Sequence, residues 1–413
     1  MEVDLSSRFK IDLQEQIVLN FFPISMGGGL QNTLSFLRSL NVIGIPKSHF
    51  FAIVRYHSPL KDHVVKSGVE YYVVKSGNYP RLKFELKSRH LFPNNQTCFT
   101  HFGLPMLGAV GRCLNIVGCA YSNLFYPEVP FWSYLPLRER YLKYAIDEYR
   151  RYMLKKADYW IFETDTLKNR AIEICGFPEH RVGVVRMAPS ELVSPEKVNK
   201  LFERKFEQVI PKAFRILFLS GPHPNKRLHF LGEIASAMSD MGLNDFVFVT
   251  TMDENHPYTE IVKRSFVKKG VDRHLVNLGP ISPSNVASLI NVCDAMGNFS
   301  VLESFSNNFV EAWQMRKPLI VTDADWSREA CGNAAIYVNV ENINETAEQI
   351  IMLANNSRLR ADLIAYGYRQ LGYYLTPEQK TMAYMEIIER ARSLGPCLPD
   401  ERESIHWPRS FWG

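Results

Sequence analysis

Short apolar runs alternate along the chain with longer stretches whose apolar positions recur every three or four residues. The short runs, rich in Val, Ile, Phe and Tyr, predict strands at 17–22, 50–55, 70–74, 97–101, 114–119 and 159–163 in the first half. The second half predicts them at 215–220, 246–251, 275–278, 295–299, 318–323 and 335–340. The longer periodic stretches predict helices, among them 31–40, 138–157, 227–241, 283–292, 307–315, 343–355 and 378–394. Strands that alternate with helices build parallel sheets from βαβ units, so the chain reads as α/β. The rhythm breaks between 186 and 212, where a polar stretch carries Pro189 and Pro195. Two similar α/β halves are therefore expected on either side of that break. Ligands bind outside the carboxyl ends of strands in such sheets, so two halves facing across a cleft suit a two-substrate site.

Composition removes several classes. A chain of 413 residues with 46% hydrophobic and 22% charged residues is long enough for two or three domains and ordinary for a globular core. The formal net charge of +5 is too small to imply nucleic acid. Its distribution is uneven. Residues 1–190 carry 24 Lys and Arg against 16 Asp and Glu, a net of +8; the rest carries 24 against 27, a net of −3. The stretch 138–156 holds Arg138, Arg140, Lys143, Arg150, Arg151, Lys155 and Lys156 in an amphipathic pattern, which suits an anionic membrane surface or a solvated basic face. Seven widely spaced cysteines without a CxxC argue against a zinc site or disulfide framework and fit a reducing compartment. Met1–Lys10 lacks the basic-then-apolar pattern of a signal peptide, and no apolar run approaches the length of a membrane span. A cytoplasmic protein, at most peripheral at the membrane face, is the expectation. The four Asn-x-Ser/Thr sequons, at Asn95, Asn298, Asn344 and Asn355, are then expected to be unused.

Three segments carry candidate chemistry. Met26-Gly27-Gly28-Gly29-Leu30 lies between the first strand and the first helix. Glycines there permit positive φ and close backbone approach, and the following helix start offers N–H groups to a phosphate. The spacing is neither that of a dinucleotide fingerprint nor that of a Walker loop. The second segment runs from Asn298 through Glu303, Ser306, Asn307 and Asn308 to Glu311 and leads from a strand end into a helix. Glu311, inside the helix, can accept the two hydroxyls of a ribose. Glu303, in the loop, can meet a hexose hydroxyl. The N–H groups of Asn307 and Asn308 at the helix start suit phosphate oxygens. These two acids are equally readable as ordinary carboxylates favoured by the helix dipole. The third segment, Ser220-Gly221-Pro222-His223-Pro224-Asn225-Lys226-Arg227, follows the first strand of the second half. A cation there neutralises a leaving diphosphate as charge develops, or simply faces solvent.

Together these segments resemble the retaining GT-B glycosyltransferases, the large family acting on nucleotide-sugars in polysaccharide and glycolipid assembly. The glycine-rich turn is matched by Gly27–Gly29, the basic loop of the second domain by Lys226, and the Glu-x7-Glu signature by Glu303 and Glu311. The chain departs from the family at Pro222, where Arg is usual, at Ser304, Ser306 and Asn307, where glycines are common, and at Gly118–Asn123, where many members carry a histidine and the nearest here is His101, one strand earlier. The resemblance implies two Rossmann-like domains, residues 1–190 for the acceptor and 191–375 for the nucleotide-sugar donor. A C-terminal crossover helix and tail, 376–413, would pack on the N-terminal domain. It implies transfer of a hexose-type sugar from a nucleoside diphosphate to a hydroxyl of a glycan or lipid-linked acceptor, with retention and without metal or other cofactor. Lys226, Glu303 and His101 are the expected catalytic residues. Gly27, Gly28, Gly29, Arg227, Ser306, Asn307, Asn308 and Glu311 are the expected donor contacts. Asp323-Ala-Asp325 has the look of a metal motif, but it belongs to a different fold and no metal is expected there. An epimerase of the same fold, a non-catalytic sugar-nucleotide-binding relative and a dinucleotide oxidoreductase are the alternatives.

Overall fold

A computed structural model describes residues 16–24, 27–75, 77–90, 92 and 96–408. Met1–Lys10, Met26 and Asn95, singled out above, lie outside the described residues. The chain divides into two compact units, 1–187 with 375–413, and 188–374.

The first unit is a parallel sheet in the order β3-β2-β1-β4-β5-β6-β7. Its strands are β1 (Ile17–Asn20), β2 (Phe50–Arg55), β3 (Glu70–Val74), β4 (Thr97–Thr100), β5 (Leu114–Gly118), β6 (Tyr159–Phe162) and β7 (Val182–Val184). Helices α1 (Gly27–Val42), α2 (Pro59–Ser67), α3 (Asn78–Lys87), α4 (Leu137–Leu154) and α5 (Asp165–Glu173) connect them. The strands read as near-continuous apolar runs because a parallel sheet is covered on both faces. β1, β4 and β5 are buried along their whole length.

The second unit has the order β10-β9-β8-β11-β12-β13. It contains α6 (Lys200–Val209), β8 (Phe214–Phe218), α7 (Leu231–Asp240), β9 (Phe246–Thr250), α8 (Pro257–Lys269), β10 (Leu275–Asn277) and α9 (Val286–Val292). It continues through β11 (Ala295–Asn298), α10 (Asn307–Gln314), β12 (Leu319–Thr322), α11 (Asp325–Cys331), β13 (Ile336–Val338), α12 (Ile343–Asn355) and α13 (Ser357–Leu371). In both sheets the first strand lies at the point where the order reverses, the doubly wound pattern of a Rossmann unit. Its core joins Ile216, Phe218, Phe248, Phe299 and Ile320 to Leu231, Ile234 and Ile350 of the covering helices.

The chain then returns to the first unit as α14 (Pro377–Leu394) and α15 (Pro399–Ser404). Tyr384, Ile388 and Ala391 of α14 join the core of β1, β4 and α1. Polar contacts fix the tail. Arg392 donates to the Thr97 hydroxyl at 2.9 Å, and Arg181 places its Nε 2.9 Å from both carboxylate oxygens of Glu401. Asp158 accepts from the Cys397 N–H at 2.9 Å and pairs with Arg402. All seven cysteines are buried, and none forms a disulfide.

Two boundaries depart from the expected pattern. The glycines expected in a turn form the first turn of α1 itself. The helix expected from 227 starts as α7 only at Leu231, because Arg227 sits at φ 53°, in the left-handed region.

Candidate functional site

The carboxyl ends of β8 and β11 are neighbours at the switch point of the second sheet. The loop after β8 delivers Asn225, Lys226 and Arg227; the loop after β11 delivers Ser300, Glu303 and Ser306. Asn225 ties the loops together: its carbonyl accepts the Val301 N–H at 2.9 Å and its side-chain amide donates to the Leu302 carbonyl at 3.0 Å. Asn308 anchors the start of α10 by donating to the Leu219 carbonyl at 2.9 Å.

Between these anchors lies a charged pair. Lys226 Nζ donates to Glu303 Oε1 at 2.6 Å, both side chains being mostly buried. The same oxygen accepts from Ser300 Oγ at 2.5 Å and Asn298 Nδ2 at 3.2 Å. Asn298 also donates to Ser306 Oγ at 2.8 Å. Ser306, the N-cap residue of α10, makes no side-chain cap on the helix. The N–H groups of Asn307 and Asn308 at the helix start have no intrahelical carbonyl to bond, and no acid stands in that first turn. The buried Asn307 Oδ1 has no partner. A turn deeper, Glu311 is 3% exposed, and burial pushes its carboxyl up to about 8. It is thus protonated at neutral pH until something that donates to a carboxylate reaches it.

The second unit therefore brings together Lys226, Glu303, Ser306, Asn307, Asn308 and Glu311. Arg227 turns aside and pairs with Glu341 at 3.1 Å. Asp323 of the Asp-Ala-Asp motif is held by Arg328, and Asp325 accepts the Trp326 N–H at 2.7 Å. Among the described residues no group of three or more His, Cys, Asp or Glu is placed to hold a metal ion. Sequence reasoning passed over Asn298 and Ser300, which organise Glu303. The signal was there: Asn298 is a buried amide closing an otherwise apolar strand.

Gly27, Gly28, Gly29 and His101 belong to the first unit. Gly27 takes φ +66°, and Gly27 and Gly28 are exposed at the start of α1. His101, expected to touch donor or acceptor, is instead fully buried. Its ring packs on Phe36, Phe99, Phe102 and Tyr384, with centroids 4.4–5.6 Å apart. Burial first, then the nearby Lys380, lowers its pKa well below the usual value, so the ring is neutral.

Two Rossmann-like units make this an α/β protein of the GT-B fold, as the solved structures it matches bear out. The chain is similar to a glycosyltransferase from Rickettsia africae at 15% identity and TM-score 0.70, covering 91% of this chain and 98% of that one. It is similar to Anabaena Alr3699/HepE, solved in complex with UDP and glucose, at 14% identity and TM-score 0.68, covering 91% and 99%. Sucrose-phosphate synthase from Thermosynechococcus elongatus matches at 13% identity and TM-score 0.69, covering 92% and 100%. A family model described as "Glycosyl transferases group 1" matches residues 213–356, the stretch that holds Lys226, Glu303 and Glu311. Among curated proteins none matches by sequence. The family match and these neighbours together support glycosyl transfer as the class of activity.

Proposed function

We propose that this chain moves a hexose-type sugar from a nucleoside-diphosphate-sugar to a hydroxyl of a glycan or lipid-linked acceptor, with retention at the anomeric carbon. The observation that carries the reading is the Lys226–Glu303 pair at the switch point, beside the open first turn of α10. Lys226 takes up the charge of the leaving diphosphate, helped by the N–H groups of Asn307 and Asn308. Glu303, fixed by Asn298 and Ser300, accepts hydroxyls of the transferred sugar. Glu311 accepts the ribose hydroxyls and releases its proton as they arrive. Ser306 positions the loop through Asn298, and Arg227 contributes positive potential at its edge. Gly27, Gly28 and Gly29 offer phosphate-contacting backbone in the first unit. In this scheme neither a metal nor another cofactor has a part.

Anabaena Alr3699/HepE was solved with UDP and glucose, which supports a nucleotide-sugar as donor here. The test is a thermal-shift panel with UDP, GDP, dTDP, CMP, ADP and NAD in EDTA, repeated on Glu311→Ala. One nucleoside diphosphate should raise the melting temperature of the native chain and not of the variant. No shift, or a shift with NAD alone, refutes the reading. With the matching donor sugar, an isomer released without acceptor identifies an epimerase, and binding without turnover identifies a non-catalytic relative.

An anionic membrane surface is the further partner we propose, on the basic stretch 138–156 that overlaps α4. In α4, Arg140 donates to the Ser133 and Leu135 carbonyls, Lys143 lies over Trp132, and Arg150 and Arg151 pair with Asp147 and Glu148. Arg138 of the same stretch is exposed, as are Leu137, Tyr141, Leu142, Tyr149 and Tyr152 of α4. In α3, Tyr79, Leu82 and Leu86 are 74%, 55% and 60% exposed on one face, beside exposed Lys83 and Lys87. Such a basic amphipathic face suits an anionic bilayer. No helix among the described residues is long and apolar enough to cross one. Flotation with phosphatidylserine vesicles should recover the chain at low salt and not with Leu82→Glu; equal recovery on neutral vesicles refutes the assignment.

A further inference from the structure

Beneath the first turn of α1, two hydrogen-bond chains converge on the carbonyls of the glycines. In one, Lys380 Nζ donates to Asn32 Oδ1 at 2.7 Å, and Asn32 Nδ2 donates to the Gly28 carbonyl at 2.9 Å. In the other, the Thr33 hydroxyl donates to the Gly29 carbonyl at 2.9 Å and lies 2.8 Å from His101 Nδ1. Since that hydroxyl spends its proton on Gly29, His101 must donate to it from Nδ1. The neutral ring then carries its proton on Nδ1, and its buried Nε2 is left with no partner. Asn32 and Thr33 are buried, as are Lys380 and His101.

Lys380 is 5% exposed; burial pulls its ammonium down to about 8, and the nearby Glu163 charge favours the ammonium against that burial. Its other bonded neighbour is the Met187 sulfur at 3.0 Å, a weak acceptor. Met187 is the last residue of the first unit before the chain leaves it, and Leu375 is the first on its return. The Leu375 N–H donates to the Met187 carbonyl at 3.3 Å. Lys380 thus stands where the outgoing and returning strands of chain meet, and reaches from there to the glycines.

We infer that Lys380 and His101 are positioning residues: through Asn32 and Thr33 they hold the glycine turn of α1 in the geometry that meets substrate phosphate. The inference rests on the reading of Gly27–Gly29 as phosphate-contacting backbone. It gives His101 a role that a sealed ring can perform. It also gives a use to two consecutive polar residues, Asn32 and Thr33, on the buried side of α1 beside Phe36, Leu37 and Leu40.

Hydrogen exchange read by mass spectrometry tests the chains without any ligand. In Lys380→Met the amides of Gln31–Thr33, which bond the glycine carbonyls, should exchange about tenfold faster, with Leu37–Val42 unchanged. Asn32→Asp keeps an acceptor for Lys380 but has no amide hydrogen for Gly28, and should show the same effect. The double variant should be no worse than either single one, since both cut one chain. Thr33→Val should add to them, and Lys380→Arg should restore slow exchange. Should Lys380→Met fail to fold, Asn32→Asp and Thr33→Val carry the test. Unchanged exchange in folded variants overturns the positioning role. Transfer from the donor found by the panel should fall on the order of 100-fold, in kcat more than in KM, with the UDP-type melting shift retained. Faster exchange with full transfer overturns the link to the glycines' function while leaving the donor site in the second unit intact.

Discussion

Replacing Glu311 by glutamine should make the protein more stable, and increasingly so as the pH rises. The folded chain holds a proton on this buried carboxyl up to about pH 8, while the unfolded chain releases it near the ordinary value of 4.5. Folding therefore takes up a proton between these values, and stability declines as pH rises through them. The linkage relation gives a cost of about 1 kcal/mol at pH 5, about 3 kcal/mol at pH 7 and a plateau near 5 kcal/mol above pH 9. A glutamine has similar shape, carries no charge and takes up no proton, so Glu311→Gln escapes the cost. The variant's advantage should grow by about 2 kcal/mol from pH 5 to pH 7, or roughly 4–8 °C in the transition of the second unit. Scanning calorimetry of both proteins at pH 5, 6, 7 and 8 measures it. Added nucleoside diphosphate should narrow or reverse the gap, because ribose hydroxyls bond a charged carboxylate more strongly than a neutral amide oxygen. A stability difference that does not change with pH, or one that shrinks as pH rises, refutes the reasoning.

Three further outcomes are expected. Lys226→Ala should lower kcat about 100- to 1,000-fold by removing the cation opposite the leaving group; steady-state rates check it, and a loss under tenfold removes Lys226 from that role. Gly118→Ala puts a Cβ 1.9 Å from the backbone carbonyl oxygen of His101, which cannot swing away; a loss of about 3 kcal/mol or more is expected in denaturant unfolding. Arg181 holds the Glu401 carboxyl down to about 2, so its contribution is complete above pH 4.5 and vanishes as pH falls toward 2. Glu401→Gln should therefore lower the melting temperature at pH 7 and leave it nearly unchanged at pH 2.5, as a pH series of melts will show.

Much of the architecture could be read from residue pattern. Strands buried on both faces show as apolar runs, and the observed β1–β6 and β8–β13 fall on the predicted ones to within a residue or two. β7 escaped because Val182–Val184 is short and pairs only with β6. The spacing of Glu303 and Glu311 was visible because both lie on one strand-loop-helix segment. The Lys226–Glu303 bond was not, since it joins residues 77 apart that only the sheet order brings together. The fate of His101 was the least legible. Whether a histidine at a strand end opens to solvent is decided here by Phe36 of α1 and by Tyr384, which arrives from the far end of the chain.

The discontinuity of the first unit also sets an order of manufacture. Residues 188–374 are one uninterrupted stretch, so the second unit leaves the ribosome whole, whereas the first lacks Lys380, Tyr384, Arg392 and Arg402 until the second has been made. At about 5–20 residues per second the first unit waits roughly 10–45 s for its closing helix. Throughout that wait the Thr97 hydroxyl, the Asn32 amide and the Asp158 carboxylate lack partners that α14 and the tail later supply. The half synthesised first is thus the half finished last, and a nascent chain halted at Tyr374 exposes its unfinished core to whatever guards newly made proteins.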